Sequence, residues 1–70
     1  MNDEWRCYFE AYDGQTLVTE ESWEDAEEAA MWGQRILDNP DAFDLLDEDD
    51  EPVSATEADP DREFTVELAE

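Results

Sequence analysis

The sequence predicts an α+β fold: a small antiparallel sheet in the order β-β-α-β-β with one helix packed on one face. Three observations predict it. Apolar and polar residues alternate near both ends of the chain, as in half-buried strands. Between those segments lies one stretch with an apolar stripe at helical spacing. No internal repeat or Gly/Ser-rich linker divides the 70 residues, which fit a single small domain.

Residues 4–12 place Trp5, Cys7, Phe9 and Ala11 on one face and Arg6, Tyr8, Glu10 and Tyr12 on the other. Asp13-Gly14 follows, a strong hairpin signal because a type I′ turn needs positive φ at both central residues. Residues 15–20 are the returning strand. A two-residue loop puts Val18 opposite Phe9 and Thr16 opposite Ala11; a three-residue loop puts Leu17 opposite Ala11. Both registers are open.

Ser22 is the expected N-cap, with Asp25 at N3 approximating a capping box. The helix is expected over 23–38, ending at Asn39-Pro40 because proline cannot continue it. Ala26, Ala29, Ala30, Gly33, Ile36 and Leu37 form its apolar stripe, all small in the first half and suited to lying close on a sheet. Gly33 costs about 1 kcal/mol of helix propensity, which implies a packing reason. Glu24, Glu27, Glu28 and Arg35 lie on the opposite face, with Met31 in its middle and Trp32 at its edge. Phe43 and Leu45 alternate with Asp44 in a short third strand over 42–46. The acidic run 47–51 is expected as a solvated turn, 52–56 as a weak edge strand, and 57–61 as a loop. The sequence leaves open whether 47–61 is ordered or flexible. Residues 62–69 alternate cleanly, with Phe64, Val66 and Leu68 inward.

Charge dominates the composition. Twenty-four residues are Asp or Glu, three are Arg, and there is no Lys or His, for a net charge of −21. Small domains usually carry a magnitude of roughly 2–8, and self-repulsion at −21 opposes folding. An anionic chain is repelled by nucleic acid and by anionic lipid, so neither is an expected direct partner. No apolar run approaches the ~20 residues of a membrane span. The acidic start, Met1-Asn2-Asp3-Glu4, lacks the basic and apolar regions of a signal peptide. Cys7 is the sole cysteine, which excludes an internal disulfide and fits a reducing, cytoplasmic setting.

Catalysis has little to work with. Without His or Lys nearby, and sharing a face with Trp5 and Phe9, Cys7 reads as a core thiol rather than a nucleophile. With so many acids, carboxylate pairs arise at any spacing by chance. The run Asp47-Glu48-Asp49-Asp50-Glu51 lacks the glycine and flanking helices of a calcium loop. No enzyme activity, metal or cofactor is expected. Met31, Trp32, Tyr8 and Tyr12 have two open roles: contact with another protein, where Met and aromatics are enriched, or cover by a second layer or a copy of the chain. The oligomeric expectation is a monomer or weak homodimer.

The acids are not confined to a tail. They occur at Asp3, Glu4, Glu10 and Asp13 and throughout 20–28, 38–44, 47–51, 57–61 and 63–70. Outward acids at i,i+2 on a strand lie about 6.8 Å apart, and i,i+4 neighbours on a helix about 5–6 Å. A DNA strand carries one phosphate per ~3.4 Å of rise. Rigid elements can therefore present negative charge at a pitch near that of a nucleic-acid backbone.

In size, absence of Lys, lack of a catalytic set and spread of acids over regular elements, the chain resembles the small acidic DNA-mimic proteins that phages and mobile elements direct against host defence. These include anti-restriction and anti-CRISPR proteins. The resemblance spans the whole chain in composition and layout and rests on no sequence motif. It implies a stoichiometric inhibitor occupying the basic DNA-binding surface of a CRISPR effector or restriction enzyme, with Glu24, Glu27, Glu28, Asp47, Glu48, Asp49, Asp50 and Glu51 standing in for phosphates and Met31 as an anchor among them. Two alternatives fit the same charge: a small haloarchaeal domain with a salt-adapted surface and a structural or regulatory role, and an acidic partner that neutralises one basic protein.

Overall fold

A computed structural model describes residues 3–69. Met1, Asn2 and Glu70, the last acid of the series above, lie outside them. Five strands, β1 (Trp5–Glu10), β2 (Thr16–Thr19), β3 (Asp44–Leu46), β4 (Pro52–Ser54) and β5 (Thr65–Leu68), form one sheet in the order β4-β3-β2-β1-β5. Every neighbouring pair is antiparallel. One helix, α1 (Ala26–Asp38), follows β2 and packs over β1 and β5. The α+β class is as expected. The weak edge segment at 52–56 is a true strand, so the element order gains one strand after the helix.

The hairpin takes neither expected register. Phe9 pairs with Leu17 and Tyr8 with Val18. The loop is three residues long but begins at Tyr12, closed by Ala11 N–H to Gln15 O at 2.8 Å and Gly14 N–H to Ala11 O at 3.0 Å. Gly14 has φ +91°, so it supplies the single left-handed residue of a bulged three-residue turn. The burial pattern gives the reason. This register turns Leu17 and Thr19 toward the helix beside Phe9 and Cys7, and all four are buried. The buried Thr19 hydroxyl is satisfied on both sides, accepting from Cys7 N–H at 3.2 Å and donating to Glu21 O at 2.9 Å.

The helix starts three residues later than expected. Trp23 is held in an extended bridge to Trp5 by reciprocal main-chain bonds, Trp5 N–H to Trp23 O at 2.7 Å and Trp23 N–H to Trp5 O at 2.9 Å. Asp25, not Ser22, is the N-cap residue, and its side chain makes no capping bond. The helix ends at Asp38 as expected, and Pro40–Ala42 forms a short 3-10 helix. This takes Ala42 and Phe43 out of the third strand, which is confined to Asp44–Leu46. The last strand is likewise shorter than the expected 62–69, because Arg62 lies in a turn.

Edges β4 and β5 are joined across the hairpin end of the sheet. The connection forms a 3-10 turn at Ala55–Glu57. Ala58 then bridges to Ala11, and Asp59 N–H donates to Glu10 O at 2.8 Å. Much of 47–61 is therefore hydrogen-bonded to the body of the fold.

The core lies between the helix and the sheet. Cys7, Phe9, Leu17 and Leu45 meet Ala29 and Ile36, and Ala11, Ala55 and Ala58 close the hairpin end. Small residues bring the two layers together. Cys7 Sγ donates to the Ala29 carbonyl oxygen at 2.8 Å. Gly33 lies under Phe64, whose ring packs 5.4 Å from that of Phe9. A Cβ added at Gly33 falls 2.8 Å from Phe64 Cζ and closer still to Cε2.

Gly33→Ala gains about 1 kcal/mol of helix propensity and loses about 1–3 kcal/mol to overpacking against Phe64. The expected outcome is a lower urea midpoint for Gly33→Ala and recovery when Phe64→Leu is added. A Gly33→Ala variant more stable than the parent contradicts this packing.

Candidate partner-binding surface

The expected site residues fall into two groups that the fold keeps apart. Glu27 and Glu28 lie in the first turn of α1, where the helix dipole favours acids. Met31, 48% exposed, follows one turn on. Glu24 is exposed but precedes the helix, because the Trp5–Trp23 bridge holds that segment extended. The expected Glu24–Glu28 helical pair is therefore not formed. This acidic end sits over the start of β1, as the Cys7–Ala29 contact shows.

The second group occupies the hairpin end. Asp47 Oδ1 accepts from Asp49 N–H at 2.8 Å and from Glu51 N–H at 2.9 Å. Asp47 N–H donates to Glu51 O, and Asp50 N–H to Asp47 O, both at 3.0 Å. Asp50 takes the left-handed φ of 62° that this tight turn requires. Glu48 Oε2 accepts from Thr16 N–H at 3.0 Å, tying the turn to the hairpin. The run 47–51 is thus a shaped turn in which Glu48, Asp49, Asp50 and Glu51 are exposed and Asp47 is half-buried.

Few of these charges are compensated. Among the described residues, the ion pairs are those of Arg62, to Glu10 at 2.7 Å and to Asp59 at 3.8 Å. The Arg62 and Glu10 side chains are more than half exposed, so their pair is worth at most about 1 kcal/mol. Arg35 stacks instead on Trp32, with its guanidinium carbon 5.1 Å from the ring centroid.

The sequence did not reveal one feature near the helix. Trp32 is half-buried, not free on the helix edge. Its ring runs nearly parallel to that of Trp23 at 6.3 Å and meets Phe43 edge-on at 6.2 Å. Together with Glu20, Glu21 and Asp44, these rings line a cleft of about 330 Å³. No local sequence signal marks it: the cleft depends on the bridge of Trp23 to Trp5, which places Trp23 beside the helix rather than in it.

The helix-free face of the sheet carries Tyr8, Val18, Leu46 and Pro52 in one row across β1, β2, β3 and β4. Tyr8 is half-buried there, while Tyr12 projects from the turn, 66% exposed. Among the described residues, no three His, Cys, Asp or Glu side chains are grouped to hold a metal ion, and no helix is long and apolar enough to cross a membrane.

Cys7 is the core thiol expected from its strand face. Burial pushes its pKa from 9.0 up to about 11, against a smaller opposing effect of the Gly33 backbone. No family model matches the chain, and comparison with curated proteins and with solved structures found no match.

The raised Cys7 value sets a pH dependence. The folded state holds the thiol proton more tightly than the unfolded state, so the contribution is constant below about pH 9 and is lost as pH rises from about 9 to about 11. Cys7→Ser or Cys7→Ala should flatten that alkaline fall in melting temperature. The native thiol should react with a disulfide reagent at pH 8 only on unfolding; rapid labelling of the native state contradicts its burial.

Proposed function

We propose that this domain is a DNA-mimic inhibitor that occupies the basic DNA-binding surface of a host-defence nucleoprotein, foremost a CRISPR effector and next a restriction enzyme. The observation that carries this proposal is the set of carboxylates held on rigid backbone without protein cations: Glu27 and Glu28 on the helix, and Glu48, Asp49, Asp50 and Glu51 on a turn fixed by Asp47. A basic groove built for phosphates is steered to such a surface and releases its counterions on contact, as it does on DNA. Preorganisation matters because acids on a disordered tail lose entropy when they are aligned, whereas these are already in place. Met31, exposed beside Glu27 and Glu28, supplies an apolar contact that water leaves on binding.

The salt-adapted alternative is favoured by a specific observation. The two acidic groups stand at opposite ends of the strands, and acids also border the helix-free face at Glu10, Asp44 and Glu67. A surface hydrated on all sides has that distribution.

The test is displacement of a labelled duplex from a CRISPR effector ribonucleoprotein and, in parallel, from a restriction enzyme. The expected outcome is stoichiometric displacement from one of them at 0.1 M NaCl, weakening steeply as salt rises. Glu27→Lys with Glu28→Lys should reduce inhibition roughly tenfold or more with an unchanged circular dichroism spectrum. Full inhibition by the double variant removes the helix end from the surface, and failure to displace the duplex from either enzyme counts against the mimic.

A further inference from the structure

We propose that the cleft walled by Trp23, Trp32 and Phe43 and rimmed by Glu20, Glu21 and Asp44 receives an arginine side chain of a protein partner. The cleft lies between α1, the end of β2 and the segment entering β3, and its volume of about 330 Å³ falls in the range of small-ligand sites. Three aromatic rings line it, whose faces carry negative electrostatic potential, and the exposed acids Glu20 and Glu21 are among its lining residues. That combination selects a flat cation: the guanidinium stacks on the rings while its edge N–H groups reach the carboxylates.

One guanidinium of this chain already lies on one of these rings. Arg35 lies among abundant acids and, among the described residues, forms no ion pair, yet it stacks on Trp32. That contact joins neighbours three apart on one helix, and Arg35 is not among the residues that line the cleft, so it leaves the cleft side of the ring to a partner. Charge complementarity fixes the occupant further, since a chain of net charge −21 attracts cationic side chains and repels acidic ones. The cleft also adjoins the acidic helix end, because Trp23 directly precedes Glu24. An arginine seated there would bring its own protein against Glu27 and Glu28. Assigning that protein to the DNA-binding class rests on the proposed function; the cleft's chemistry does not.

The experiment is an NMR titration of the whole chain with blocked arginine (N-acetyl-arginine methylamide) at constant ionic strength, with blocked citrulline as the neutral isostere. The expected outcome is a saturable shift of the Trp23 and Trp32 indole signals with arginine and none with citrulline. The exposed Tyr12 ring, outside the cleft, should stay unmoved. Glu20→Gln with Glu21→Gln, on exposed positions that leave the rings in place, should weaken the affinity roughly two- to fivefold. Equal shifts with citrulline, a linear response shared by Tyr12, or an unchanged affinity in the Glu20→Gln, Glu21→Gln variant overturns the assignment. The titration contains no DNA-binding protein, so its failure is distinct from failure of duplex displacement. Arginine binding with no displacement keeps the cleft and discards the mimic; displacement without arginine binding does the reverse.

Discussion

The distance between α1 and the sheet is the constraint on which the rest of the molecule depends. It is set by side chains that are small or absent: Ala29 against Cys7, and Gly33 under Phe64. A chain of this length buries only about 60% of its unfolded surface, and its like charges push outward. Alanine and glycine contribute little apolar area, so cohesion comes from closeness, which lets Phe9, Leu17, Leu45 and Ile36 meet in one continuous core. Were the helix to stand off the sheet, Phe64 would lose its seat and the acids on both layers would lose their fixed spacing. The Cys7 thiol belongs to this seam; its raised pKa is a sign of tight packing, not of reactivity.

Much of this was legible from local pattern. The alternation of Cys7 with Phe9 marked a strand face, and Ala29, Gly33 and Ile36 marked the buried helix stripe; at the last strand Phe64 and Val66 pack on the core, but Leu68, expected inward, is 48% exposed at the sheet edge. What escaped was set by contacts between distant segments. Asp13-Gly14 suits more than one turn, and only the burial of Leu17 and Thr19 under the helix chooses among them. Ser22 and Asp25 form a plausible local cap, but the bridge from Trp23 to Trp5, eighteen positions away, holds the chain extended and moves the helix start to Ala26. The same bridge removes Glu24 from the helix and sets Trp23 beside Trp32. For the candidate site, residue types and their exposure were readable, because acids in a −21 chain have nowhere else to go. Their grouping was not. Separating Glu27 and Glu28 from the 47–51 turn is a consequence of the sheet order, which composition does not encode.

For the proposed partner, the charge pattern and the aromatic cleft would act in complementary ways. Diffuse carboxylates draw a cationic surface in quickly and give little positional selectivity, since each exposed pair is weak and screened. Aromatic faces with a carboxylate rim act at short range and discriminate by shape and charge together. The helix end combines both, with Glu27, Glu28 and Met31 beside Trp23 and Trp32. The hairpin end offers only charge, on a turn whose shape is fixed by Asp47.

If the acids serve a partner and not a salty solvent, the fold must stand without molar salt to screen them. At 0.1–0.15 M ionic strength the Debye length is still ~8–10 Å, so exposed neighbours repel. Circular dichroism of the purified protein at 0.1 M and 2 M NaCl tests this most directly. A partner-directed surface requires a folded, cooperatively melting domain at 0.1 M, with added salt raising its melting temperature only modestly. A coil at 0.1 M that folds only at 2 M contradicts it, and would assign the carboxylate surface to salt adaptation.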